Sequence, residues 1–237
     1  MIKKHSLFLL IVLSISALLI GYAFDFKTPF YRYSPERFET AITQFEQNDA
    51  QLAELQPDGI MFYGSSSIRG LQTPIAQSFP SLNIIVRGFG GSMMHDLLFY
   101  FDRVVLPHEP KILFIYAGEN DVSAHVWQHT ILDRLTQIIG KVKTHLPNTQ
   151  VYFISIKPTP YRWSLNNEQK KVNLLVQSLA EQSDQLNFID IDPIMLNQAN
   201  QPEPSLFQAD GIHMSPAGYQ RWINLIKPIL IPKKSEP

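Results

Sequence analysis

Short apolar runs alternate along the chain with longer stretches in which apolar residues recur at helical spacing. The runs are "GIMFYG" (59–64), "NIIVRG" (83–88), "KILFIYAG" (111–118), "VYFISIKP" (151–158) and "NFIDI" (187–191). They are continuous rather than alternating, which is typical of parallel strands that are covered on both faces. The helical stretches lie at 66–79, 93–105, 130–146 and 166–185, and a last one follows Pro216. This pattern predicts about five parallel strands in a three-layer α/β/α domain.

The first 26 residues have a different pattern, since a basic start is followed by an uncharged stretch from Leu7 to Phe24. Eighteen helical residues span about 27 Å, just enough to cross the core of a bilayer. Lys3 and Lys4 favour an orientation with the N-terminus inside the cell. The segment is therefore predicted to be an uncleaved signal anchor, forming an N-terminal hydrophobic helix, or a signal peptide cleaved near "GYA", with a buried helix as the third alternative. The first two place the remaining chain outside the cytoplasm.

Residues 27–57 are predicted to form a tether and a helix ahead of the main domain, which spans 58–231. Ser34 has the character of an N-cap and Pro35 that of a first helical residue. From there the apolar spacing predicts a helix that runs to about Leu55.

Composition narrows the possible functions. The 237 residues are 45% hydrophobic with a formal net charge of −1, which suits one sizeable domain and gives no basic surface for nucleic acid. The chain has no cysteine. Disulfides, thiolate metal sites and a cysteine nucleophile are therefore excluded.

Polar and glycine-rich loops follow the first three predicted strands. They are "GSSS" (64–67), "GFGGS" (88–92) and "GENDVSA" (118–124). Ligands of parallel sheets bind beyond the carboxyl ends of the strands, so these loops are predicted to meet at one site.

A serine in these loops becomes a nucleophile only if a base takes its proton and a third group orients that base. His213 is the best candidate base, because Asp210 lies three residues before it in a loop ahead of the last helix. The alternative for this pair is a helix-capping aspartate beside a surface histidine. Donors for an oxyanion are available in the amides of Ser66 and Gly91 and in the side chain of Asn120.

The "GSSS" stretch has three other interpretations. A flexible turn is the simplest. A P-loop requires spaced glycines and a lysine, which "GSSSIRG" lacks. The G-x-S-x-G elbow requires a second glycine where this chain has Ile68.

Together, four segments resemble the sequence blocks of the SGNH, or GDSL-like, hydrolase family. They are "FYGSSSIRG", "RGFGGSMMHDL", "YAGENDVSA" and "DGIHMSPAGY". The resemblance covers about residues 58–225 and implies a flavodoxin-like sheet of five parallel strands. It also implies serine ester hydrolysis without a metal or other cofactor.

Carried over by position, the resemblance implies that Ser66 is the nucleophile and that Asp210 and His213 complete a catalytic triad. It implies an oxyanion hole formed by Ser66, Gly91 and Asn120. Two positions depart from the family pattern, because Ser65 and Ser92 stand where an aspartate is usual. Ser65 and Ser67 flank the proposed nucleophile, and Ser67 is interpreted as a helix cap.

Other polar residues near these loops are predicted to support or line the site. Glu119 and Asp121 are expected to shape the turn that carries Asn120, and Asp121 to bind loop amides. The "KPTPYRW" segment (157–163) follows the fourth strand, so Tyr161, Arg162 and Trp163 are candidates for substrate contact. His125 and His129 have the spacing of a zinc pair, but the glutamate of H-E-x-x-H is replaced by Val126. No metal site is therefore predicted.

The predicted function is an extracytoplasmic serine esterase that acts on a small-molecule, lipid or sugar ester. Two alternatives keep the same site. One is an acyltransferase, in which a hydroxyl acceptor replaces water, and the other is a catalytically inactive module that binds a carbohydrate or lipid.

Overall fold

The predicted α/β fold is confirmed by a computed structural model that describes residues 34–51 and 58–231. Five parallel strands form one sheet in the order β2-β1-β3-β4-β5, which is the flavodoxin-like order. The strands are β1 (Ile60–Gly64), β2 (Ile84–Gly88), β3 (Ile112–Tyr116), β4 (Gln150–Ile154) and β5 (Leu186–Ile189). Because all run the same way, their carboxyl ends lie along a single edge.

Helices connect the strands. They are α1 (Glu39–Asp49), α2 (Ser66–Ser78), α3 (Met94–Val104), α4 (Glu119–Ser123), α5 (Gln128–His145), α6 (Asn166–Ala180), α7 (Asp192–Met195) and α8 (Pro216–Leu230). Short 3-10 turns lie at Pro35–Phe38, Leu106–His108, Trp163–Leu165 and Pro204–Leu206.

The helices pack in two layers, with α2 against α8 and with α5 between α3 and α6. Between the sheet and the α2–α8 layer lies a core rich in aromatic side chains. Phe62 stacks on Phe114 with ring centroids 4.5 Å apart, and Tyr116 lies 5.1 Å from Trp222. All four side chains are essentially buried, so their packing holds the central strands β1 and β3 against the helices on this side of the sheet.

The N-terminal elements differ from the prediction at one end. Pro35–Phe38 forms a 3-10 turn after Ser34, whose hydroxyl bonds to Glu36 rather than to a backbone amide. Helix α1 ends at Asp49, not at about Leu55. The Asp49 carboxylate contacts the side chains of Arg87 and His108, and Glu46 forms a salt bridge with Arg103 at 2.8 Å. The predicted signal segment (1–26) and part of the tether lie outside the described residues.

Several strands and helices are shorter than the apolar runs that predicted them. Strand β3 ends at Tyr116 and β4 at Ile154, although the residues that follow, through Gly118 and Lys157, remain buried. An apolar run reports burial, whereas a strand ends where its ladder of hydrogen bonds ends. Among residues 34–51 and 58–231, no helix has the length and apolar character needed to span a membrane.

Candidate active site

The end of β1 places Ser66 at the start of a helix. A Cβ on Gly64 would lie 2.1 Å from the Tyr116 carbonyl oxygen. The chain therefore passes closer to β3 at this position than a residue with a side chain would allow. Ser65 is extended, and Ser66 then begins α2. The first amides of a helix have no partner within it and favour negative charge. Ser66 therefore combines a half-buried hydroxyl with an amide at a helix N-terminus.

The neighbouring serines have different surroundings. Ser65 occupies the N-cap position, but its hydroxyl makes no capping hydrogen bond. Ser67 is buried, and its Oγ accepts a hydrogen bond from Lys157 Nζ at 3.1 Å. The interpretation of Ser67 as a helix cap is therefore wrong, since its hydroxyl faces the interior.

The loop after β2 carries Gly91 with φ of +85°, a conformation that favours glycine. A Cβ at this position would meet no atom within 4 Å, so the surface above it is open. The next residue, Ser92, is fully buried and offers its carbonyl oxygen to Asn120 Nδ2 at 3.0 Å. The second and third loops are thus joined beside Gly91.

Asp121 makes a second connection between these loops. Its buried carboxylate accepts the Met94 amide at 3.0 and 3.2 Å, as the sequence predicted for a residue that binds loop amides. Burial raises the pKa of Asp121 to about 6. Arg134 lies 3.7 Å away and opposes that shift.

A buried charged network lies below these loops. Glu119 accepts hydrogen bonds from Tyr116 Oη at 2.8 Å, Arg162 Nη1 at 3.0 Å and Lys157 Nζ. Lys157 is fully buried and also donates to Tyr116 Oη at 3.2 Å. Burial lowers the pKa of Lys157, although Glu119 opposes the shift. Burial would raise the pKa of Glu119, but Lys157 and Arg162 outweigh it and lower that pKa.

Asp210 and His213 lie in the loop ahead of α8 and contact each other. Asp210 Oδ2 is 2.6 Å from His213 Nδ1, and its Oδ1 accepts the amides of Ile212 and His213 at 2.8 and 2.9 Å. These bonds, chiefly the one from the His213 ring, lower the pKa of Asp210 to about 2. Among the described residues, His213 Nε2 has no hydrogen-bond partner and Ser66 Oγ is not bonded to it.

The segment after β4 forms the rim beside this loop. The Tyr161 amide donates to the Gly211 carbonyl at 3.1 Å, so the rim is attached to the Asp210–His213 loop. The Tyr161 side chain is 73% exposed, whereas Trp163 is half-buried. His125 and His129 are exposed, and the His129 ring lies 4.8 Å from that of Trp127.

Lys157 is the residue of this site that the sequence-based reasoning missed. The sequence did contain a signal, since Lys157 stands at the end of the apolar run "VYFISIKP". A charge buried at the carboxyl end of a strand needs a partner of opposite charge. Because lysine side chains lie mostly on protein surfaces, the buried role of Lys157 was not predicted.

The comparison with protein families identifies the class. The profile of the GDSL-like Lipase/Acylhydrolase family matches residues 44–221. The chain therefore belongs to the GDSL-like lipase/acylhydrolase family and is an enzyme of the esterase type, as the sequence blocks predicted. The comparison with curated proteins gives no match.

Solved structures show the same fold. A Streptococcus pneumonia protein reported as a platelet activating factor has a TM-score of 0.74 at 24% identity, covering 91% of this chain and 99% of its own. A GDSL-like lipase from Bacteroides thetaiotaomicron has a TM-score of 0.68 at 22% identity, with 80% and 96% covered. The acetylxylan esterase Axe2 from Geobacillus stearothermophilus has a TM-score of 0.60 at 16% identity, with 75% and 96% covered.

Proposed function

We propose that the chain is a serine ester hydrolase that works through an acyl-serine intermediate at Ser66. The observation that carries this proposal is the Asp210–His213 contact of 2.6 Å, which leaves His213 Nε2 available as a base. An orienting carboxylate on Nδ1 fixes the tautomer that a catalytic histidine needs. The contact lies in a chain of the acylhydrolase family, with Ser66 at a helix start.

In the proposed reaction, His213 takes the Ser66 proton as Oγ attacks the ester carbonyl carbon. The amides of Ser66 and Gly91 and the Asn120 side chain stabilise the oxyanion of the tetrahedral intermediate. The intermediate collapses, the bond to the alkoxy group breaks, and His213 protonates the leaving alcohol. A water molecule then repeats the sequence on the acyl-enzyme and releases the acid.

Asp210 is assigned the orienting role rather than that of a proton carrier. Because its pKa is held at about 2, it stays ionised throughout the working pH range. An ionised Asp210 stabilises the imidazolium that forms on His213 during each half-reaction.

The substrate is an ester of a small molecule or a sugar. We propose that the half-open rim formed by Tyr161 and Trp163 contacts it, because Tyr161 is exposed and its backbone is bonded to the loop that carries His213. A related fold occurs in an acetyl-xylooligosaccharide esterase, which supports a sugar ester as one candidate.

Hydrolysis of p-nitrophenyl acetate and labelling by a fluorophosphonate test the assignment on the full chain. Ser66→Ala should lower kcat/KM at least about 1,000-fold and abolish labelling. Ser65→Ala is the matched control and should change either readout less than about 3-fold, since its hydroxyl makes no capping bond.

Full activity in Ser66→Ala would overturn the proposal, and labelling at Ser65 would move the nucleophile by one residue. Labelling of Ser66 with turnover that appears only after an acceptor alcohol is added would make the enzyme an acyltransferase.

We also propose that the domain works outside the cytoplasm, attached to the membrane by residues 1–26 or released after cleavage there. The support is the uncharged Leu7–Phe24 stretch behind two lysines. Fractionation of cells that express the full chain should recover it in the membrane or outside the cytoplasm. Recovery of the intact chain in the cytosol would contradict this proposal.

A further inference from the structure

We propose that Arg162 is a positioning residue for the oxyanion hole, acting through the side chain of Asn120; this rests on the function proposed above. Arg162 Nη1 donates to Asn120 Oδ1 at 3.2 Å and to Glu119 Oε1 at 3.0 Å. One guanidinium group therefore joins the oxyanion residue to the buried network beneath it.

The two partners of Asn120 agree on a single orientation of its carboxamide. A guanidinium can only donate, so the atom that faces Arg162 must be the oxygen. A carbonyl can only accept, so the atom that faces Ser92 O at 3.0 Å must be the nitrogen. A flipped carboxamide would lose both bonds. The second N–H of Nδ2 is thus held ready for an oxyanion.

Arg162 is itself held from below. Glu119 binds it through Oε1, while Glu119 Oε2 is occupied by Tyr116 and Lys157. The Arg162 amide also donates to Thr159 Oγ1 at 3.2 Å. Lys157 reaches Ser67 Oγ, so the network ends one residue from the proposed nucleophile. A guanidinium with this support and a mostly buried side chain has little freedom to move.

The test is a double-mutant cycle with p-nitrophenyl acetate and the full chain. Asn120→Ala should lower kcat about 100-fold, and Arg162→Met about 10-fold with KM little changed, since the donor acts in the transition state. In the Asn120→Ala background, Arg162→Met should cost less than about 2-fold, because the residue through which it acts is gone.

Arg162→Lys is the conservative variant and should recover kcat to within about 3-fold of wild type, since an ammonium still donates. Arg87→Met is the matched control, because Arg87 is also a mostly buried arginine paired with a carboxylate, that of Asp49. Within the described part of the chain, Arg87 makes no hydrogen bond or ion pair with Asn120. Arg87→Met should lower the melting temperature and leave kcat within about 2-fold.

An equal loss of kcat on removing Arg162 with and without Asn120 would overturn the inference, as would a kcat unchanged in Arg162→Met. If Arg162→Met does not fold, Arg162→Leu, which also lacks a donor, takes its place in the same cycle. Fluorophosphonate labelling of wild-type Ser66 separates the two proposals. If Ser66 is labelled and the losses of kcat are additive, only the proposed role of Arg162 is wrong. If the enzyme is active but Ser66 is not labelled, the proposed function is wrong.

Discussion

Asp121 is a carboxylate without solvent contact, bonded to a backbone amide and 3.7 Å from Arg134. The groups that influence it are Arg134, His95 and Asp96. Its pKa of about 6 in the folded protein lies above the usual 3.8. The folded state therefore keeps a proton that the unfolded chain has already released between these two values.

This difference sets the sign of a pH dependence. Stability is unaffected by Asp121 below about pH 4, falls as pH rises toward about 6, and then levels off. Asp121→Asn is neutral throughout and keeps an oxygen for the Met94 amide. The free energy of unfolding of this variant minus that of wild type, measured by urea titration, should therefore increase by about 2 kcal/mol from pH 4.5 to pH 7.

The comparison between variant and wild type cancels the contributions of all other ionisable groups, because both proteins contain them. A difference in unfolding free energy that stays constant across this pH range would show that Asp121 is not the group responsible.

Contacts within one loop could be predicted from the sequence, whereas contacts between loops could not. The Asp210–His213 contact followed from spacing within one loop, and the side chains do meet. Lys157, Glu119 and Arg162 come from two different loops, and no spacing reports that they share a buried site. Their pairing is a product of sheet order, which places β3 next to β4.

At the scale of elements, the continuous apolar runs predicted all five strands because parallel strands are buried on both faces. The five-residue helix α4 was not predicted, since "ENDVS" is too short and polar to show a helical period. It forms because Val122 and Ala124 bond back to Gly118 and Asn120, and because Asp121 and Glu119 are fixed by tertiary contacts.

Two glycines in regular elements should respond to alanine in opposite ways. Gly140 lies exposed within α5, and a Cβ there would meet no atom within 4 Å. Gly140→Ala should raise the free energy of unfolding by about 0.5–1 kcal/mol, because the unfolded chain loses conformational freedom. Gly64→Ala should lower it by about 3 kcal/mol or more, since its Cβ would lie 2.1 Å from the Tyr116 carbonyl oxygen.

Urea unfolding of both variants against wild type measures this contrast. Gly64→Ala with wild-type stability would mean that β1 and β3 can separate at their carboxyl ends, contrary to the close approach described above.

At the scale of the whole molecule, one edge of the sheet gathers segments that are far apart in sequence. Sequence alone predicted this convergence because parallel strands place their carboxyl ends together. The order β2-β1-β3-β4-β5 adds what sequence could not, namely which loops are neighbours. The turn after β1 lies between those after β2 and β3, so the loop that carries Ser66 is the neighbour of the loops that carry Gly91 and Asn120.

The segment from Lys157 to Trp163 joins the interior of the molecule to its outer surface. Its first residue is buried against Ser67, and its Tyr161 amide is bonded to Gly211. Attempts to engineer the substrate range of this enzyme should therefore exchange the outward side chain of Tyr161 and keep the loop length fixed. An insertion or deletion in this segment would disturb the turn after β1 and the Asp210–His213 loop together, so a change of loop length would be expected to lower turnover as well.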